Sequence, residues 1–184
     1  APALPSGLSL GTDGSIGGTP TAVSSATDYT VTASNASGND TFVINLKVDP
    51  AAPSGFGYED SKKNAITSAG IVATQGKPID PITPVVTGTV DSYSVNPALP
   101  AGLFLDSKSG TVSGTPKTVQ VIAVYTITAT NAGGSATFGL NVTVNAPPTV
   151  DTGIFRTRVQ GMSYVSGSQS GTIGADGKFT YQVG

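Results

Sequence analysis

Residues Tyr125 to Val144 read YTITATNAGGSATFGLNVTV. Tyr125, Ile127 and Ala129 alternate with Thr126, Thr128 and Thr130. Phe138, Leu140, Val142 and Val144 then alternate with Gly139, Asn141 and Thr143. A period of two marks a strand with one buried face. Between the two runs stands NAGG (Asn131 to Gly134), whose Asn and Gly residues tolerate positive φ. The stretch predicts two antiparallel strands joined by a tight turn.

The same hairpin occurs 96 residues earlier, as DYTVTASNASGNDTFVINLKV (Asp28 to Val48). There Phe42, Ile44, Leu46 and Val48 share one face, opposite Thr41, Val43, Asn45 and Lys47. Upstream, PALPSGLSLGTDGSIGGTPTAV (Pro2 to Val23) matches PALPAGLFLDSKSGTVSGTPKTV (Pro97 to Val119). Leu4, Pro5, Gly7, Leu8 and Leu10 fall on Leu99, Pro100, Gly102, Leu103 and Leu105. After one inserted residue, Gly14, Gly18, Thr19 and Pro20 fall on Gly110, Gly114, Thr115 and Pro116. About half of the aligned positions are identical, so the chain contains an internal duplication.

The second copy has a long run ahead of its PALPAGL, from Ala51 to Asn96, in which Pro78, Pro81 and Pro84 confine the chain to edge strands or irregular extension. About seven short strands in such a repeat is the pattern of a β-sandwich. The first copy has only the back half. The expected organisation is therefore 1–50 as the C-terminal half of an immunoglobulin-like repeat, 51–146 as a complete repeat, and 147–184 as a linker plus β-hairpin segment. The fold class expected is all-β, with tandem immunoglobulin-like sandwiches. The N-terminal one is incomplete and completed by the C-terminal β segment.

Composition agrees. The 184 residues include 24 Gly and 13 Pro, and only 11% are charged. No run of helix formers is present. Hydrophobic residues reach 38% and alternate in order, which argues against disorder. The net charge of −2 and the absence of a basic face argue against nucleic-acid binding. No apolar run approaches a membrane span, and no signal peptide is visible. With no Cys and no His, disulfides, thiolate or imidazole metal sites and Ser-His-Asp or Cys-His catalysis are excluded.

The run YSVNPALPAGLFLDSKSGTVSGTPKTV followed by YTITATNAGGSATFGLNVTV resembles the immunoglobulin-like domains of the He_PIG type, found in tandem in bacterial surface and secreted proteins. The motifs are LPAGL, then GTVSGTP, then YTxTATNxxG. The resemblance covers 51–146 fully and 1–50 as a half copy. It implies an immunoglobulin-like sandwich, an extracellular or cell-surface location, and a module that spaces, stiffens or adheres. It supplies no catalytic residues. In antibody domains a Tyr stands two residues before the second Cys; here that second position is Val31 or Ile127. The tail is similar to the opening of a different β module common in bacterial lipoproteins, through VQGMSY (Val159 to Tyr164) and then ADGKFTY (Ala175 to Tyr181).

Candidate chemistry is sparse. Asp106 to Gly110 and Asp176-Gly177 resemble calcium loops, but each offers one carboxylate where calcium takes six to eight oxygens, so turns are the expectation. Glu59 and Asp60 are adjacent on a strand and point to opposite faces, unlike a glycosidase pair. Lys47, Lys62 and Lys63 are weighed as isopeptide donors; Lys47 lies on a polar strand face. Asn35, Asn39 and Asn141 begin glycosylation sequons, which a Ser/Thr-rich chain produces by chance. Phe56, Tyr58, Tyr93 and Phe104 are weighed as a sugar-binding strip, with core packing the expectation. No cofactor, metal site or enzyme activity is expected.

Both ends read as interrupted. Written end to start, DGKFTYQVG and APALPSGLSL resemble the continuous GTVDSYSVNPALPAGLFL of the second copy. Tyr181 falls on Tyr93 and Val183 on Val95. The tail thus reads as the missing front half of the first copy. It could act within its own chain, in a neighbour as a head-to-tail homopolymer, or as one period of a longer array. A fragment trimmed at both ends explains the same pattern. The expected self-assembly residues are Phe179, Tyr181 and Val183 as donor, and Phe42, Ile44 and Leu46 as the uncovered acceptor face. The other partner expected is a host or matrix surface ligand, glycan or protein, bound by an adhesin-type module.

Overall fold

The computed structural model describes residues 2–68, 70–154, 161–166, 169–176 and 178–182. Every regular element among them is a β-strand.

The first copy comprises β1 (Leu8–Leu10), β2 (Ile16–Gly18), β3 (Ser24–Asn35) and β4 (Gly38–Val48). β1 pairs with β2, and β3 with β4, both antiparallel. The glycines of the LPxGL and GTP motifs explain the spacing of β1 and β2. A Cβ on Gly7 would sit 2.1 Å from the Thr19 carbonyl oxygen, and one on Gly18 2.1 Å from that of Gly7. Both have positive φ, so the close backbone approach excludes any side chain.

The second copy contains β5 (Ser54–Glu59), β6 (Ile71–Thr74), β7 (Thr83–Thr87), β8 (Ser92–Asn96), β9 (Leu103–Leu105), β10 (Val112–Gly114), β11 (Gln120–Asn131) and β12 (Gly134–Asn145). That is one strand more than the repeat count suggested. One layer is a four-stranded sheet in the order β6-β12-β11-β8, with β6 parallel to β12. The facing layer combines β5-β7 with β9-β10, linked by a bridge between Ile82 and Val112. Pro84 lies in β7, which among the described residues pairs with β5 alone, a place where a missing donor is tolerated. Between the layers lies the core: Tyr58, Ile82, Leu103, Val112, Tyr125, Ile127, Leu140, Val142 and Val144. Full burial of each such aliphatic side chain stabilises by about 1.5–3 kcal/mol.

The tail forms β13 (Val150–Ile154), β14 (Ser163–Ser166), β15 (Gln169–Thr172) and β16 (Lys178–Gln182). β14 pairs with β15, and β13 with β16 in the register Asp151 to Tyr181. This nested arrangement departs from the front half of the second copy, where β5 pairs with β7, and β8 with β11. Loop-closure cost grows only slowly with length, so a partner within the same tail is reached across the β14-β15 hairpin at modest entropic cost. Phe179 and Tyr181 belong to β16, and Val183 lies outside the described residues.

Candidate functional site

β3 and β4 repeat β11 and β12 down to the irregularity in register. The shift between Ser24 and Thr27 is matched by one between Gln120 and Ala123. Their surroundings differ. The outer edge of β11 pairs with β8 from Thr126–Asn96 to Thr130–Ser92, and β12 pairs with β6. Among the described residues, β3 and β4 form a sheet of only two strands, so both outer edges carry no strand partner.

The face between those edges is open as well. Phe42 is 71% exposed, and Ile44 and Leu46 are half-buried. Their counterparts Leu140 and Val142 are fully buried, and Phe138 packs its ring 5.5 Å from Tyr58 and 6.1 Å from Phe56. Beside β3, Pro2, Leu4, Leu10, Ile16, Tyr29 and Val31 line an apolar cleft of about 130 Å³. The six residues expected to mediate assembly therefore divide. Phe42, Ile44 and Leu46 share one face of β4, with Phe42 exposed and the other two half-buried, whereas β16 is paired with β13 and, among the described residues, not with β3.

The other candidates resolve into structural roles. Phe56, Tyr58 and Tyr93 cluster in the interior at 5.6 and 5.9 Å between ring centroids, while Phe104 stays outside at 66% exposure. They form no surface strip. The Tyr58 hydroxyl donates to the Gly110 carbonyl at 2.5 Å, and burial, followed by the neighbouring Tyr93, pushes its pKa well above the usual tyrosine value. The Tyr125 hydroxyl accepts from Gln120 Nε2 at 2.7 Å, and Ile127 is fully buried where an antibody domain has its Cys.

Each candidate calcium carboxylate serves its own turn. Asp106 Oδ1 accepts from the amides of Lys108 and Ser109, both at 2.8 Å, and Asp176 Oδ1 from that of Lys178 at 3.1 Å. Among the described residues, no three Asp or Glu side chains gather as a metal site would require. Asp60 accepts from the amides of Lys62 and Asn64 and from Asn64 Nδ2, while Glu59 pairs with Lys63. Lys47 pairs with Asp49 at 2.5 Å on the surface. Asn141 Nδ2 donates to the Ser68 carbonyl.

Sequence reasoning missed a second contact. Asn131 is buried; its Nδ2 donates to the carbonyls of Ala51 and Thr89 at 2.8 and 2.9 Å, and its Oδ1 accepts from Gly133 and Gly134. A Cβ on Gly133 would lie 1.7 Å from the Pro50 carbonyl oxygen. The hairpin tip of the second copy thus holds the segment entering from the first. The available signal was small: Ser37 stands where Gly133 does.

A family model described as "Putative Ig domain" (He_PIG) matches residues 1–49 and 62–145. The chain is similar to a "Serine-rich adhesin for platelets" of Staphylococcus aureus strain MRSA252, 36% identical over 151 residues, covering 78% of this chain and 10% of that protein. The same protein of strain USA300 is 35% identical, with 6% of it covered. The chain therefore spans a tenth or less of the length of these relatives. Among solved structures, extracellular domains 3-5 of Drosophila OTK are similar at a TM-score of 0.44 and 14% identity, covering 78% of this chain and 47% of that one. Immunoglobulin domains 1-5 of Sidekick-1 give 0.38 and 18%, covering 78% and 30%. No helix among the described residues is long and apolar enough to cross a membrane.

Proposed function

Because the chain belongs to the He_PIG family of immunoglobulin-like domains, we propose that it is a non-catalytic structural module of a bacterial extracellular or cell-surface protein. Its copies assemble head to tail by strand complementation, as units of a fibre or repeat array. The observation that carries this reading is the contrast at one edge: β11 pairs with β8, and among the described residues the equivalent edge of β3 has no strand partner. An open edge beside apolar surface is a template for a further strand. The donor is the segment 179–183, in whose sequence Phe179, Tyr181 and Val183 alternate with Thr180 and Gln182. Such a contact is heterologous, so it propagates unless it closes into a ring.

Removing residues 175–184 tests it. Sedimentation and electron microscopy should show concentration-dependent oligomers for the whole chain and monomers for the truncated one. Equal assembly of the two, or monomers of the whole chain at high concentration, would overturn the reading.

A second reading is favoured by the relatives named as adhesins for platelets: a module that binds a host glycan or protein. Saturable binding of the whole chain to a glycan array or to platelets would favour it, and its absence would count against it.

A further inference from the structure

In the complete second copy, the layer made of β5-β7 and β9-β10 carries two outward features that the fold itself does not use. Alternation turns Phe56, Tyr58, Leu103, Leu105 and Val112 to the core. It turns Gly57, Glu59, Val85, Phe104 and Ser113 to the other side.

The first feature is an aromatic knob. Phe104 is 66% exposed. It stands opposite Ser113, and the matched pair in the first copy is Ser9 opposite Gly17. The same pair of strands forms with a serine at this place, so the ring is surplus to it.

The second feature is a trough floored by glycine. Gly55, Gly57, Glu59, Lys63, Ile66 and Val85 line a depression of about 360 Å³. Gly55 has φ +60° beside a register shift between Ser54 and Gly57, so the backbone requires it. Gly57 has no such reason. Its φ lies outside the left-handed region, and among the described residues nothing lies within 4 Å of where a Cβ would be. A strand glycine without an internal cause marks a place where something approaches the backbone from outside. Val85, opposite Gly57, is 48% exposed and completes an apolar floor.

Knob and trough sit on the two outer strands of one layer, since β5-β7 joins β10-β9 through the Ile82–Val112 bridge. Glu59 is the one charge among the outward side chains of these four strands, and Lys63 pairs with it. Two such faces therefore meet without like-charge repulsion. A twofold axis lying between them sets each knob on the other's trough. Four strands about 4.8 Å apart, each about five residues long, give a patch of about 300 Å². A standard interface buries about 800 Å² on each partner. The contact is too small to hold a dimer in dilute solution, and it gains strength where copies stand in arrays.

We infer that this face is a homotypic contact surface, separate from strand exchange. Its occupant is the same face of a second copy of this chain, with Phe104 of each laid over Gly57 and Val85 of the other.

Phe104→p-benzoylphenylalanine keeps an aromatic ring and makes it photoreactive. Irradiating the whole chain should give a covalent dimer, with the attachment mapped by peptide mass spectrometry to residues 54–66 or 83–87. Adding Gly57→Val fills the trough where the fold leaves room, and should cut the dimer at least tenfold with the melting temperature unchanged. Val85→Asp, an exposed change on the neighbouring strand, should cut it as well. Ser9→p-benzoylphenylalanine, at the matched place in the first copy, should give at least tenfold less dimer than Phe104. Attachment to other residues, attachment within one chain, no dimer, an equal yield from Ser9, or indifference to both trough variants would each overturn the inference. The yield should persist when 175–184 is removed. A yield lost with that segment would assign the contact to strand exchange and overturn a separate surface, whereas a persisting yield leaves the fate of strand exchange to its own test.

Discussion

Phe42 and Phe138 occupy the same place in two copies of one motif. Phe138 meets the rings of Phe56 and Tyr58, whereas Phe42 is 71% exposed to water. The hairpins that carry them are alike in length, turn and register. The difference lies in the surroundings: the second copy has β6 and β8 beside its hairpin and β5-β7 facing it, and among the described residues the first copy has no counterpart of these strands. An alternating strand specifies which face is to be buried, but a second layer supplied elsewhere does the burying. The duplication separates those two contributions within one molecule.

The largest effect should come from separating the copies. Residues 51–146 alone should unfold cooperatively with an all-β circular dichroism spectrum, because both layers of their core are present. Residues 1–50 alone should lack a cooperative transition, since isolated two-stranded sheets are marginal in water. A helical or disordered spectrum for 51–146, or a sharp transition for 1–50, would break the comparison.

Within the whole chain, Leu140→Ala deletes a fully buried side chain and should cost about 2–5 kcal/mol in urea unfolding. Ile44→Ala removes the half-buried counterpart. It should cost about 1.5 kcal/mol or less, because part of that surface is already in water. Equal costs would mean that something covers the first copy in solution.

These contrasts also mark where the sequence was legible. Alternation from Tyr125 to Ala129 and from Phe138 to Val144 declares the strands, and NAGG declares the turn. Gly7 and Gly18, required by backbone approach, preserve the motif from which the family is read. Pairing across the chain is less visible. Lys178 to Gln182 reads as a strand, yet no local rule says whether its partner is β13 or the edge of β3, since edge hydrogen bonds are alike for any sequence. The surroundings of two matched glycines were hidden for a related reason. Gly14 and Gly110 align in the sequence, but only the coordinates show the Tyr93 ring beside Gly110 and, among the described residues, nothing within 4 Å of a Cβ on Gly14.

The hairpin tips give a smaller, local test. Gly133→Ser places a Cβ where the Pro50 carbonyl oxygen lies 1.7 Å away, and should cost about 1–3 kcal/mol through the shift it forces. Ser37→Gly, the mirror change, should alter stability by only a few tenths of a kcal/mol, because Ser37 is exposed. A neutral Gly133→Ser would show that the entering segment is held less firmly than Asn131 implies.

The smallest expected effect concerns the one feature the copies share almost unchanged. Asp13 accepts from the Ser15 hydroxyl at 2.7 Å and the Ser15 amide at 3.0 Å, much as Asp106 accepts from the amides of Ser109 and Lys108. These bonds hold both carboxyls below the ordinary aspartate range, led by the Ser15 hydroxyl at Asp13 and by the Ser109 amide at Asp106. A folded-state pKa below the unfolded one stabilises at pH values above the unfolded value of 3.8, and the contribution fades as pH falls through the folded pKa. Both groups are fully exposed, so solvent screens the effect. Carboxyl titration by NMR should therefore find both aspartates below their unfolded values, and melting should be flat from pH 5 to pH 8 on the order-of-magnitude width such carboxylates allow. EDTA should leave the melting temperature unchanged, because each loop offers a single carboxylate already bonded within its turn. A drop on chelation that calcium reverses would show that these turns hold an ion, and that the two copies are matched in chemistry rather than in turn geometry alone.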